Sequence, residues 1–169
     1  MLEPNRGARV RLIDAREALE IEEVRVALEG FLARRAAARV RPADLDRLDA
    51  AIDEMRARVR EGDSIGYSEL NPSFHQLIWA TADHRTAARV VAGLKSQSIR
   101  LQYQTALRPG RPDQSLLEHE AIVDALRRRD GDAAEAAMKA HLARVVDTLE
   151  WVIRTQQGTT RWLLPDGMS

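Results

Sequence analysis

Apolar positions recur at helical spacing along almost the whole chain. Val24, Leu28, Phe31 and Leu32 follow one another at three- and four-residue steps, which predicts a helix over about 17–39 with one apolar stripe. Arg41-Pro42 interrupts the pattern, and a proline suits the first turn of a second helix. That helix carries Leu45, Leu48, Ile52, Met55 and Val59 and ends near Glu61-Gly62-Asp63. A third helix is expected over about 64–81 with Leu70, Phe74, Leu77 and Ile78 inward. Pro72 either kinks it or marks its true start, with Asn71 as N-cap.

The fourth helix, over about 85–107, carries Val90, Val91, Leu94, Ile99 and Leu101, and residues 108–112 (Arg-Pro-Gly-Arg-Pro) read as the clearest loop. A fifth helix follows over 113–129. Asp130-Gly131-Asp132 is a tight break, with Gly131 suited to a left-handed conformation and Asp132 to capping the next helix. The last helix, over about 132–156, carries Ala136, Met138, Leu142, Val145, Val146, Leu149 and Val152. After Gly158 the tail is short and irregular, with Trp162-Leu163-Leu164 able to dock on the body. Strand alternation and internal repeats do not appear. The expected fold is all-α, an antiparallel bundle of about six helices.

Composition narrows the chemistry. A single domain of 169 residues buries roughly 70% of its unfolded surface, so a core forms without crosslinks. The absence of cysteine excludes disulfides and thiolate metal sites, leaving nitrogen and oxygen ligands. The 26 basic and 26 acidic side chains cancel, which argues against attraction to nucleic acid or an anionic membrane by the chain as a whole. No run approaches ~18 apolar residues and the N-terminus has no apolar signal core, so the default location is cytoplasmic.

The four histidines are His75, His84, His119 and His141. Asn71 and His75, four residues apart, project from one face of the third helix. His119 and His141 straddle the 130–132 break almost symmetrically, so on antiparallel neighbours they reach a similar depth. Three imidazoles and an amide oxygen can thus converge, leaving coordination positions open. A histidine on a half-apolar face is also commonly a hydrogen-bonded core residue, and Asn71 has its alternative as a cap. His84, in Asp83-His84-Arg85, reads as a cap or surface residue.

Four motifs in register resemble a known family. Arg25-x-x-Leu28-Glu29, Asn71-x-x-Phe74-His75 and Glu118-His119-x-x-Ile122 are followed by Gly131-Asp132-x-x-x-Ala136-x-Met138-x-x-His141-Leu142. Over about 16–153 their order and gaps resemble the FCD domain, the C-terminal effector domain of the FadR subfamily of GntR transcription regulators. Residues 4–10 are similar to the wing that ends that family's winged helix-turn-helix. The resemblance implies a wing and linker remnant over 1–15, a ligand-binding domain over 16–157 and a tail over 158–169. DNA-sequence reading then depends on a recognition helix that this chain does not include.

The resemblance also implies a divalent metal (zinc, nickel or manganese) held by Asn71, His75, His119 and His141. Aspartate is commoner at the first position. Asn71 offers an amide oxygen without formal charge, which implies looser metal retention and a stronger pull on an anionic effector. That effector would be a small organic acid, with Arg25 and Arg100 as candidate clamps for its carboxylate, in a homodimer matched to palindromic operators. Two other readings stand beside this one. The first is a metal-free helical interaction module. The second is a metal-dependent hydrolase, for which no general base is evident, since Glu118 points about 100° away from His119 on its helix.

Overall fold

A computed structural model describes the backbone of residues 13–161 and the side chains of residues 13–97 and 104–155. The wing-like residues 4–10, the 162–164 segment and the Arg100 side chain lie outside the described residues. Among the described residues six helices follow one another: α1 (Ala15–Arg39), α2 (Pro42–Glu61), α3 (Ser64–Ala82), α4 (Arg85–Ala106), α5 (Arg111–Arg127) and α6 (Gly131–Arg161). Helix α1 lies along α6 in the most extensive of the helix pairs, and α2 with α3, α3 with α4 and α5 with α6 pack as successive neighbours across short connections. The expected all-helical bundle is the observed one.

The helix starts have local causes. Asp14 accepts a hydrogen bond from the Glu17 amide at 2.8 Å and caps α1. Asp63 does the same for α3, accepting from Gly66 at 2.8 Å, so α3 begins well before Pro72. Asn71 is therefore not a cap, and its side chain is released for other work. His84 caps α4, its Nδ1 lying 3.1 Å from the Ala87 amide, as expected from its place between two helices.

Three boundaries differ from expectation. Gly110 takes φ +75, a left-handed turn that suits a residue without Cβ, and so α5 starts at Arg111 inside the anticipated loop. In the 130–132 break the left-handed residue is Arg129 (φ 54), and Asp130, not Asp132, caps α6 by accepting from Ala133 at 3.0 Å. Gly131 instead permits close approach: a Cβ there would meet the Arg34 side chain at 3.2 Å and its carbonyl oxygen at 3.4 Å. Helix α6 also continues through Gly158 to Arg161. A lone glycine costs a helix only about 1 kcal/mol, too little to stop it.

The core is built from Leu32, Leu48, Met55, Phe74, Ile78, Ile122, Leu126, Met138 and Leu142, all fully buried. The stripe on α1 departs most from the apolar pattern. Val24 and Phe31 are exposed, whereas Glu22, Arg25 and Glu29 are buried beside Ala18, Ile21, Leu32 and Ala33. The inward face of α1 thus carries charge at its N-terminal half and small apolar residues at its C-terminal half.

Leu48→Ala should cost about 2–5 kcal/mol in urea unfolding, because it opens a void in a dry core. Leu117→Ala, at a position 65% exposed, should stay within about 0.5 kcal/mol. Equal costs would mean that the assigned inward faces are wrong.

Candidate functional site

His75 on α3, His119 on α5 and His141 on α6 meet in the bundle interior, with ligand-capable atoms all within 4.8 Å of one another. The Nε2 atoms of His119 and His141 are 3.3 Å apart. Each ring is held from behind by a different partner at Nδ1. Glu29 of α1 lies 2.7 Å from His75, Tyr67 of α3 3.2 Å from His119, and Glu118 of α5 2.8 Å from His141. A carboxylate at Nδ1 accepts the ring proton there, so His75 and His141 turn bare Nε2 lone pairs inward. The Tyr67 hydroxyl can accept as well as donate, which lets His119 adopt the same tautomer.

Beside these rings is a cavity of about 50 Å³ whose wall includes Glu22, Arg25, Asn71, His75, Arg111 and His141. Two acceptors in it, Asn71 Oδ1 and His75 Nε2, are buried without a hydrogen-bond partner. Unsatisfied buried acceptors are costly, and here they cluster with a second inward lone pair on His141. A divalent cation fits this donor set: three neutral imidazoles fixed by their outer hydrogen bonds and one amide oxygen. Of the four sequence-expected ligands, Asn71, His75 and His141 line this cavity, and His119 meets it through His141, with their Nε2 atoms 3.3 Å apart.

Arg25 also reaches the cavity wall, but its guanidinium is already engaged. It donates to Glu29 Oε1 at 2.8 Å and to Glu22 Oε2 at 2.7 Å, in a stripe buried from water. Glu29 further accepts from Trp79 Nε1 at 3.1 Å. Sequence reasoning did not mark Tyr67 or Arg111 as parts of the site, and it placed Glu118 in a motif beside His119 without assigning it a partner. Glu118 points away from its neighbour His119, as helix geometry requires, and in doing so reaches His141 on the next helix.

Burial dominates the electrostatics. It pushes His75 down to about 4 against the pull of Glu29, and pushes His119 and His141 well below the ordinary value, with the neighbouring histidines adding to the effect. Burial would raise Glu29, yet Arg25 and His75 outweigh it and hold the carboxylate below its usual range. Burial raises Glu118, opposed by Arg111 and Arg144, and lowers Lys95 to about 8. The histidines are thus neutral at pH 7, as metal ligands must be.

These shifts set the acid limb of stability in chelator-treated protein. A histidine whose folded value is depressed leaves the unfolded chain to take up protons first. Stability should be level above pH 7 and fall as pH drops from 6.5 toward 4, with a linkage slope approaching about three protons. Glu29 adds its loss only below the unfolded carboxylate value, near 4.3. Melting temperature against pH reads this directly, and His119→Gln should flatten the limb between pH 6.5 and 4. A profile flat over that window would rule out buried neutral histidines.

Comparisons with known proteins agree with this architecture. The FCD domain family model matches residues 12–144. The chain is 29% identical over 151 residues to the HTH-type transcriptional repressor RspR of Escherichia coli K12, covering 89% of this chain and 66% of that protein. It is 30% identical over 148 residues to the HTH-type transcriptional repressor NanR of Cronobacter sakazakii, covering 83% and 53%. It is 29% identical over 134 residues to the galactonate operon transcriptional repressor of Escherichia coli K12, covering 79% and 56%. The chain thus spans about half to two thirds of the length of these relatives, which are named as transcriptional repressors. Streptococcus agalactiae GntR shares the fold at a TM-score of 0.68 and 21% identity, over 78% of this chain and 58% of that one. Escherichia coli McbR/YncC does so at 0.72 and 16%, over 78% and 67%. With the family model matching most of the chain and repressors of the GntR type among its relatives, this chain belongs to the FCD domain family of GntR-type transcription regulators.

Proposed function

We propose that this domain senses a small organic acid at a divalent metal (zinc, nickel or manganese) held by Asn71, His75, His119 and His141. The observation that carries the reading is the convergence of the three imidazoles, each engaged from behind at Nδ1, with Asn71 Oδ1 and His75 Nε2 left without partners in the adjoining cavity. When bound, such an ion supplies a Lewis-acidic pole to which a carboxylate oxygen coordinates. The side chains do the rest: Glu29, Tyr67 and Glu118 fix ring orientation and tautomer, and the aromatic and aliphatic wall excludes water.

Charge complementarity supports an anion. Around the site Arg25, Lys95 and Arg111 balance Glu22, Glu29 and Glu118, so a divalent ion adds surplus positive charge that an acid would offset. Arg25 and Arg100 remain the arginines proposed from sequence to face the effector. The galactonate operon repressor, by its name, controls a sugar-acid operon, which is consistent with an acid as the class of signal. In this reading the bundle also pairs with a second copy, and operator contact belongs to a helix-turn-helix unit outside the bundle. Helices α1 and α4 pack together and keep Val24, Phe31 and Val90 exposed, apolar surface suited to such pairing, which sedimentation equilibrium would read.

Elemental analysis of protein purified without a histidine tag should find close to one divalent ion per chain. Chelation should lower the melting temperature by about 5–15 °C, and adding the ion back should restore it. His141→Ala should lose the ion and acid binding while keeping its helicity. Protein that takes up no zinc, nickel or manganese and melts unchanged in their presence would instead be a metal-free interaction module.

A further inference from the structure

Arg111 opens α5 and is 6% exposed. Its Nη2 donates to Glu118 Oε2 at 2.9 Å, whereas its Nη1 is buried without a hydrogen-bond partner. Leaving a guanidinium N–H unmet inside a protein is expensive, because a charged donor gives up water and receives nothing in return. The residue also lines the cavity that holds Asn71 Oδ1 and His75 Nε2. The cavity therefore has two poles of opposite demand. The pole of imidazole and amide acceptors calls for a cation, and the Arg111 pole calls for an acceptor. Arg25, the other arginine on this wall, has its guanidinium engaged by two carboxylates.

The two poles are joined through one atom. Glu118 Oε2 receives both Arg111 Nη2 and His141 Nδ1, at 2.9 and 2.8 Å. A shift of Arg111 toward a bound anion alters the oxygen that orients the His141 ring. The second oxygen of the same carboxylate, Oε1, is buried and lies 3.5 Å from Arg144 Nε, so the carboxylate has limited freedom to compensate. The size of the space also restricts the ligand. At about 50 Å³ it admits roughly three to five water-sized groups, which suits an acid of two to four carbons.

We propose that Arg111 is the anion anchor of this cavity. Its Nη1 takes one oxygen of a short-chain carboxylate whose remaining oxygens face the histidine pole, and Glu118 is a positioning residue that couples the two poles. The inference rests on the metal-and-acid reading above but assigns a residue and a ligand size that the reading leaves open. Binding at Arg111 and metal retention are then reciprocal: an acid that engages Arg111 tightens the metal, and the metal tightens the acid by the same factor.

Calorimetric titration of acetate, lactate and malate into zinc-loaded protein tests this, with galactonate as the size control. Arg111→Met should keep zinc stoichiometry and helicity and lower affinity for the acids that bind by roughly 10- to 100-fold, the loss expected for a charge-assisted hydrogen bond. Arg111→Lys should recover part of that loss. Glu118→Gln should weaken zinc and acid together, which a purely local packing role at Arg111 would not produce. Unchanged acid affinity in Arg111→Met overturns the proposal, as does loss of zinc in step with the acid. Failure of all three short acids to bind the wild type, or tighter binding of galactonate than of any of them, overturns it too. Should the wild type take up no zinc, the metal reading fails by itself. Acid binding that is still abolished by Arg111→Met would then uphold the anchor, and binding that is indifferent to it would overturn the anchor.

Discussion

The Glu29 carboxylate, fully buried between α1 and α3, organises much of what surrounds it. An ion without water costs several kcal/mol unless charges and hydrogen bonds replace its hydration shell. Arg25, one turn earlier, supplies the charge, while His75 and Trp79 of α3 supply the remaining donors. Arg25 in turn requires Glu22, another turn back. Helix α1 must therefore present a charged stripe inward, and this rotation of the helix leaves Val24 and Phe31 facing solvent.

The same device recurs around the other two rings. Helices α3, α5 and α6 contribute the three imidazoles, and α1, α3 and α5 contribute the groups that hold them. Ring orientation is consequently a property of how the helices pack, and the bundle cannot shift without changing the site. In the sensing role proposed above this is the useful direction of dependence. A ligand that favours one ring arrangement favours one helix packing, provided that it binds the alternatives unequally.

Much of this was legible in the chain. The helical period located six helices, since an apolar stripe at that spacing can be buried only as helix against helix. The i, i+4 spacing of Asn71 and His75, and the symmetric placing of His119 and His141 about a tight break, follow from helix geometry alone. Those regularities allowed the convergence, and the family resemblance singled it out from the alternative of ordinary core histidines. Boundaries were less secure because they turn on single residues. Gly110 allowed α5 to begin at Arg111, and Gly158 was too weak a breaker to end α6.

The fold class and the possibility of converging histidines were legible through periodicity and spacing along the chain, and the domain family through the resemblance of four motifs in register. Which polar residues go inward was decided only in three dimensions. Glu29 is a motif residue without an assigned partner until Trp79 and His75 of another helix close over it, and Arg111 sits in what reads as a loop until it faces the cavity. Glu118 looks misdirected beside His119 until α6 brings His141 within 2.8 Å. Burial of a charge depends on partners distant in sequence, and the local pattern carries no record of them.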